Sequence, residues 1–193
     1  MTEAELEEVL AVAKRKLFHL RGQRIRPGID SKALTSWNAM MIHSLALAHQ
    51  VLNEPSYLEP AQKAVNFILN QLWDGKHLKH TFAQGVAKQN GFLEDYAYLT
   101  HAILTLYEST FEWDLIKRAE QLAQTMVDLF WDKGTRTFFF AEDRQADLLI
   151  RPTDTYDGAV PSSTGVAMTA LIRLSKLTYQ DKWFNLARSE EHT

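Results

Sequence analysis

The chain has 193 residues, a formal net charge of -3, 46% hydrophobic residues and no cysteine. That length allows one sizeable core or two very small ones. The acidic balance argues against nucleic acid as a partner, since phosphate binding needs a basic face, and the missing cysteines exclude disulfides, thiol redox chemistry and Cys-based zinc sites.

The N-terminus, MTEAELEEVL, is acidic and amphipathic, unlike a signal peptide. No apolar run reaches the roughly 18 residues of a membrane span, so neither a membrane partner nor insertion is expected. A cytoplasmic location is the expectation. Residues Glu3 to Leu20 carry Leu6, Val9, Leu10, Ala13, Leu17 and Leu20 at helical spacing, which predicts a surface helix with one buried stripe. The basic cluster at Lys14–Lys16, Arg21, Arg24 and Arg26 reads as a solvated helix end. Gly22 and Pro27-Gly28 stop the helix.

The second helix starts at Thr35-Ser36, two N-cap residue types, and continues as WNAMMIHSLALAHQVL. It is apolar nearly all round and is expected to be buried on several sides. A turn at Asn53–Ser56 leads to an amphipathic helix, Tyr57 to Leu72. Phe92 to Tyr107 is again apolar all round, Leu115 to Phe130 amphipathic, and Ser163 to Leu177 apolar on most faces. A further amphipathic segment begins at Asp181.

The alternation contains a repeat. Trp73-Asp74 laid over Trp131-Asp132 brings Ala61 onto Ala119, Val65 onto Ala123, Ile68 onto Met126 and Leu72 onto Phe130, a shift of 58. Tetratricopeptide and HEAT repeats are shorter, about 34 and 40–47 residues. A period near 58 accommodates two helices and one long loop. Turns leaving the apolar helices are short, and loops leaving the amphipathic helices are long. The longest contains a β-hairpin candidate, TFFFAEDRQADLLIR. In antiparallel hairpins all long loops then emerge at the N-terminal ends of the apolar helices, where function commonly sits.

This predicts an all-α fold, a double layer of helical hairpins in an α/α-toroid, with apolar inner and amphipathic outer helices. Known closed toroids of this kind usually take about six hairpins, an expectation consistent with this layering, and this chain supplies about three and a half. The expectation is a single helical domain over residues 1–193, part of a larger toroid. Its open inner faces would favour a homodimer or contact with the missing parts of a parent protein.

Three stretches, RPGIDSKALTSWNAMMIHSLALA, GFLEDYAYL and DGAVPSSTGVAMTALIRL, resemble the helical portion of the spermatogenesis-associated, thioredoxin-domain-containing family. They occur in the family's order and cover about Arg26 to Leu174. The resemblance implies a toroid similar to six-hairpin glycosidases and N-acylglucosamine 2-epimerases, with a carbohydrate-related pocket. The family's thioredoxin-like domain is absent from these 193 residues. Ala39 stands where the family tends to have Gly, and Pro161-Ser162-Ser163-Thr164 replaces a Pro-Ser-Gly-Asn-like run.

Asp95 and Glu94 open an inner helix, where acidic groups gain roughly 0.3–1 kcal/mol from the exposed N–H groups and where a carboxylate can also act as general acid or base. Consecutive helical residues point about 100° apart, so the two cannot aim at one atom. Asp30 and Asp157, each preceding an inner helix, are the candidate second carboxylates. Trp37 is either core or an aromatic platform for a sugar ring, and Asn38 its hydrogen-bonding neighbour or a buried amide needing partners. Asp30 and Lys32 pair with each other or with ligand hydroxyls. Tyr96 and Tyr98 alternate around the helix start, and Tyr96 is the candidate pocket wall. Tyr156-Asp157-Gly158 reads as a turn.

His77-x-x-His80 is the one close histidine pair and lacks a nearby third ligand, so no metal site is expected. His43 and His101 lie on inner helices as buried core residues or pocket acid/base groups. With no Gly-rich phosphate loop, GxSxG elbow or HExxH, no cofactor is expected. The two functional expectations are a glycosidase-like or 2-epimerase-like domain taking a carbohydrate ligand, and a non-catalytic helical scaffold whose carboxylates are caps.

Overall fold

The structure, a computed structural model, describes residues 2–143 and 150–189. The chain divides into two units, residues 1–31 and 32–193.

The first unit contains α1 (Glu3–Gly22). A capping box closes its start: the Thr2 hydroxyl accepts from Glu5 N–H and the Glu5 carboxylate from Thr2 N–H. The stripe expected to be buried is not: Leu6, Val9, Leu10, Leu17 and Leu20 are all exposed.

The second unit runs β1 (Ala33–Leu34), α2 (Thr35–Leu52), a 3-10 turn at Pro55–Tyr57, α3 (Leu58–Gln71), β2 (Lys79–Ala83), β3 (Val86–Asn90), α4 (Leu93–Thr110), α5 (Trp113–Phe130), β4 (Trp131–Asp132), β5 (Thr137–Phe138), α6 (Ser163–Thr178) and α7 (Asp181–Ser189). α4 packs against α2 on one flank and α6 on the other, and α2, α4 and α6 each pair with the helix that follows, α3, α5 and α7. This is the predicted toroid arc of inner and outer layers. The core lies between them, with Ala39, Ile42 and Ala46 of α2, Leu99 and Ile103 of α4 and Leu171 and Leu174 of α6 facing Val65, Ile68, Ala119, Leu122 and Met126 of the outer helices.

All three inner helices end the same way. Asn53, Phe111 and Tyr179 take left-handed conformations, φ 51°, 56° and 56°, and turn the chain within a few residues into the outer helix. Asn tolerates that region; Phe and Tyr are costlier there. The Trp-Asp repeat is also structural. Asp74 accepts from the N–H groups of Lys76 and His77, and Asp132 from Thr135 N–H and its hydroxyl. Each aspartate therefore closes the turn leaving an outer helix, and each Trp pairs across that turn, Trp73 with Leu78 and Trp131 with Phe138.

Two expectations about strands change. The Trp73–Gly91 loop contains a hairpin: β2 and β3 join through Gln84-Gly85, both at positive φ, the turn geometry that suits the twist of paired strands. β1 adds as a third antiparallel strand. The hairpin expected over Thr137–Arg151 takes another form, because Thr137-Phe138 pairs with the preceding Trp131-Asp132. Residues 144–149 of that stretch, with part of its expected polar turn and of the second apolar arm, lie outside the described residues. α2 is not covered all round either; Trp37, Met41, Val51 and Leu52 expose one flank. Among the described residues no helix is long and apolar enough to cross a membrane.

Candidate functional site

Asp95 is fully buried, with 0% exposure. Its Oδ2 accepts from Phe92 N–H at 2.9 Å, so it caps its own helix. Its Oδ1 accepts from Ser36 N–H at 2.9 Å. The start of α2, which Thr35-Ser36 were expected to cap, is therefore capped by a carboxylate 59 residues away; Thr35 and Ser36 lie inside the helix. A third donor, His80 Nδ1 of β2, lies 2.8 Å from Oδ2. One carboxylate thus ties two inner helices and the small sheet. Asp95 does not face a pocket and is corrected from acid/base to junction residue. The physical reason is the pair of helix-start amides, whose exposed N–H groups compete successfully for it.

His80 responds electrostatically. The hydrogen bond that His80 donates to Asp95 raises its pKa above the ordinary 6.5, burial opposing. A raised folded-state pKa makes the pair stabilising below the unfolded value of about 6.5, and that contribution is lost as pH rises through the elevated midpoint. The expected result is that wild-type stability in urea declines from pH 6 to pH 9 more than that of His80→Gln. Parallel pH profiles for the two proteins would remove this account. His80, Glu94 and Asp95 place ligand-type atoms within 4.8 Å of one another, but a cation there would have to displace His80 and the Phe92 amide from Oδ2. His77 sits apart from this group, near Asp74.

Tyr96, expected as a pocket wall, is core. Its ring is fully buried between Trp73 and Phe130, and its hydroxyl accepts from Leu78 N–H at 2.7 Å. Burial drives its pKa above the ordinary tyrosine range. Trp37 is 64% exposed, so it is not core. Asn38 donates to Leu34 O at 2.8 Å and so satisfies the backbone at its own helix start. Asp30 and Lys32 are both exposed and fall in different units, Asp30 in residues 1–31 and Lys32 in the second.

The groups that do converge lie on the face of α4 turned away from α5. Glu94, Tyr98, His101, Thr105 and Glu108 follow helical spacing along it. Glu94 is half-buried; burial, then the neighbouring Asp95 charge, raises its carboxyl pKa, while the Ser36 hydroxyl donates to it at 3.3 Å. Tyr98 donates to Pro161 O. Burial, then the charges of Glu94, Asp154 and Asp157, push its phenol up to about 12. His43 of α2 packs against His101. Burial and Arg173 of α6 lower both histidines, His101 to about 4.

Of these residues His43, Tyr98 and His101 border two adjoining recesses. One, of about 270 Å³, is bounded by Met40, His43, Tyr98, His101, Pro161 and Val166. The other, of about 340 Å³, shares His101, Pro161 and Val166 and adds Asp157, Ser162 and Thr169. Asp157, an expected second carboxylate, lines the second recess, and its Oδ1 also accepts from Ser162 N–H. Asp154, not anticipated from sequence, caps α6 by accepting from the Ser163 amide and hydroxyl. Arg173, Thr105 and Glu108 were also missed. The available signal was polar residues at i, i+4, i+7 and i+11 on a helix otherwise apolar.

No protein-family profile matches the chain. It is 33% identical to spermatogenesis-associated protein 20 of Rattus norvegicus over 195 aligned positions, 94% of this chain and 25% of that protein. It is 32% identical to the Homo sapiens protein, over 88% of this chain and 23% of the relative, and 31% to an uncharacterised Caenorhabditis elegans protein, over 93% and 26%. The chain therefore spans about a quarter of the length of these relatives. Among solved structures it is similar to cellobiose 2-epimerase from Bacillus thermoamylovorans, with TM-score 0.69 and 13% identity, over 83% of this chain and 44% of that one. The α-mannanase BT2949 of Bacteroides thetaiotaomicron gives TM-score 0.68 and 16% identity, over 86% and 44%. An inactive α-1,6-mannanase variant of Salegentibacter, with two adjacent aspartates replaced by asparagine and bound to α-1,6-mannotriose, gives 0.65 and 13%, over 80% and 44%. At these identities the solved structures establish the fold, an α/α-toroid.

Proposed function

We propose, for a chain that belongs with the helical segment of spermatogenesis-associated protein 20, that the polar face of α2, α4 and α6 is a carbohydrate site. Glu94 serves there as the acid/base group. The observation that carries this reading is the raised pKa of Glu94 at the N-terminal end of the face that also presents Tyr98 and His101. A half-buried carboxyl whose pKa is raised holds its proton more readily than a free one and can donate it to a leaving oxygen. Asp157 supplies the second carboxylate a glycosidase-like reaction needs. His101, kept unprotonated by burial and Arg173, is the base a 2-epimerase-like reaction needs.

Two comparisons support the reading. Toroids of the same fold are a cellobiose epimerase and mannan-cleaving enzymes. Replacing two adjacent carboxylates accompanies inactivity in one of them, and Glu94-Asp95 is such a neighbouring pair. In this chain the division of labour would be unequal, with Asp95 holding the helix junction and Glu94 meeting the sugar.

Saturation-transfer NMR with cellobiose, D-mannose and α-1,6-mannotriose tests it. The wild-type chain is expected to transfer saturation to at least one of them. Glu94→Gln is expected to weaken that ligand on the order of tenfold, the cost of one charge-assisted hydrogen bond, with an unchanged melting temperature. No transfer to any of the three would leave the scaffold reading. That reading draws on the exposed apolar flank of α2, at Trp37, Met41, Val51 and Leu52.

A further inference from the structure

Behind the two histidines lies a cation that the carbohydrate reading does not use. Arg173 of α6 reaches across to α4. Its Nη1 donates to Thr105 Oγ1 at 2.9 Å and to His101 O at 3.2 Å, and its Nη2 pairs with Glu108 at 3.0 Å. Nη1 also lies 3.2 and 3.4 Å from the two ring nitrogens of His101. Thr105 is buried, and its Oγ1 lies 2.9 Å from His43 Nδ1.

The donor inventory orders this group. A guanidinium can only donate, so Thr105 Oγ1 accepts from Arg173 and keeps one proton to give. The His101 carbonyl, at 3.2 Å, already receives Arg173, and His43 Nδ1 is nearer. Given to His43 Nδ1, the nearer acceptor, rather than to the second lone pair of that carbonyl, the hydroxyl proton places the His43 proton on Nε2. A doubly protonated His101 would set two N–H groups against a guanidinium at 3.2–3.4 Å. Glu108 engages the other side of Arg173, so the fork is held against α4 and does not serve as a free anion receptor.

We propose that Arg173 is a positioning residue: acting through Thr105 and directly on His101, it fixes the tautomer and tilt of the His43–His101 pair as a hydrogen-bonding floor for a neutral polyhydroxylated ligand. The ring centroids are 4.6 Å apart at 48°, close enough for neighbouring hydroxyls of one ring to address both imidazoles. The ligand class follows from charge. Arg173 is neutralised by Glu108, while Asp157 lines the cleft and Glu94 stands on the same face, so sugar phosphates and uronates are disfavoured. This ligand assignment rests on the carbohydrate reading; the positioning role does not.

The groups facing the pair are Tyr98 and Glu108 from α4, Arg173 from α6 and Asp157 from the loop before it. Imidazole 15N spectra across a pH titration read the positioning role without any ligand. In wild type His101 is expected to titrate near 4 and His43 below 6.5, with His43 as the Nε2–H tautomer. In Arg173→Met both midpoints are expected to rise, since one of the two main causes of their lowering is removed, and the His43 tautomers to mix. Arg173→Lys, a charge without the fork, is expected to keep the midpoints low while leaving the tautomers mixed. A folded Arg173→Met with the wild-type His43 tautomer and wild-type midpoints overturns the proposal. Should that variant not fold, Glu108→Gln decides: the tautomer stays and the His43 midpoint falls, since Glu108 opposes Arg173 there, whereas a rise overturns it. Competition of D-mannose against mannose 6-phosphate and glucuronate on the wild-type chain reads the ligand class. Tighter binding of either anion overturns that part, and silence from all three counts against the carbohydrate reading while leaving the imidazole result standing.

Discussion

Asp95→Ala is expected to destabilise the chain by about 3–5 kcal/mol, the range for removing one partner from a buried charged pair. Three donors converge on this carboxylate: Ser36 N–H, Phe92 N–H and His80 Nδ1. Truncation leaves the two amides without their acceptor at helix starts that have no other side-chain cap. Each buried donor left unpaired costs roughly 1–3 kcal/mol, and a cavity opens beside Tyr96. Urea denaturation at pH 7 measures the loss. Asp95→Asn should fall between the two proteins, because it keeps the volume and one acceptor oxygen but turns an NH2 toward a donor. A loss below about 1 kcal/mol for the alanine variant would mean that the junction is held by packing alone. The same variant cannot be used to test sugar chemistry, since any loss of binding would follow from the displaced helices.

Gly91→Ala should be the second most damaging change, about 1–3 kcal/mol, the usual range for overpacking a filled site. A Cβ there would stand 2.9 Å from Leu78 O, 3.2 Å from the Tyr96 ring and 3.4 Å from Asp95 Cβ. None of these can retreat cheaply. Leu78 O is backbone and accepts from Gly91 N–H at 2.7 Å, while Leu78 N–H donates to the Tyr96 hydroxyl. The bare glycine lets the chain cross the start of β2 closely enough to make both bonds. Gly28→Ala is the control, since nothing lies within 4 Å of its added carbon, and it should denature like wild type. Equal stability of Gly91→Ala and Gly28→Ala would show that the crossing can open without penalty.

Both predictions fall within GFLEDYAYL, where the split between sequence and structure is clearest. Hydropathy alone marked α4 as an inner helix, but the 100° step between Glu94 and Asp95 does not keep their carboxylates apart: both bond Ser36, and they lie within 4.8 Å of each other. What pattern could not supply was the partner of each side chain. Asp95 accepts from Ser36, 59 residues earlier in the chain, and Tyr96 from Leu78 across a hairpin with only weak strand alternation. Trp37 shows the converse. Its apolar character is plain in the sequence, but its exposure depends on which flank of α2 is covered.

Periodicity and composition were enough for the helices, their inner and outer order, the Trp-Asp repeat and the end at which the long loops gather. These follow from nearest-neighbour geometry, because 3.6-residue spacing gathers apolar side chains on one side of a helix; what covers that side is a tertiary matter, as the exposed stripe of α1 shows. The tertiary structure alone decided that Asp95 is a junction, that Glu94 keeps a raised pKa, and that His43, His101 and Arg173 meet. Each depends on burial and on contacts between helices remote in the chain. Hydrogen bonds and charges act over a few ångströms of space, and distance along the sequence does not record that.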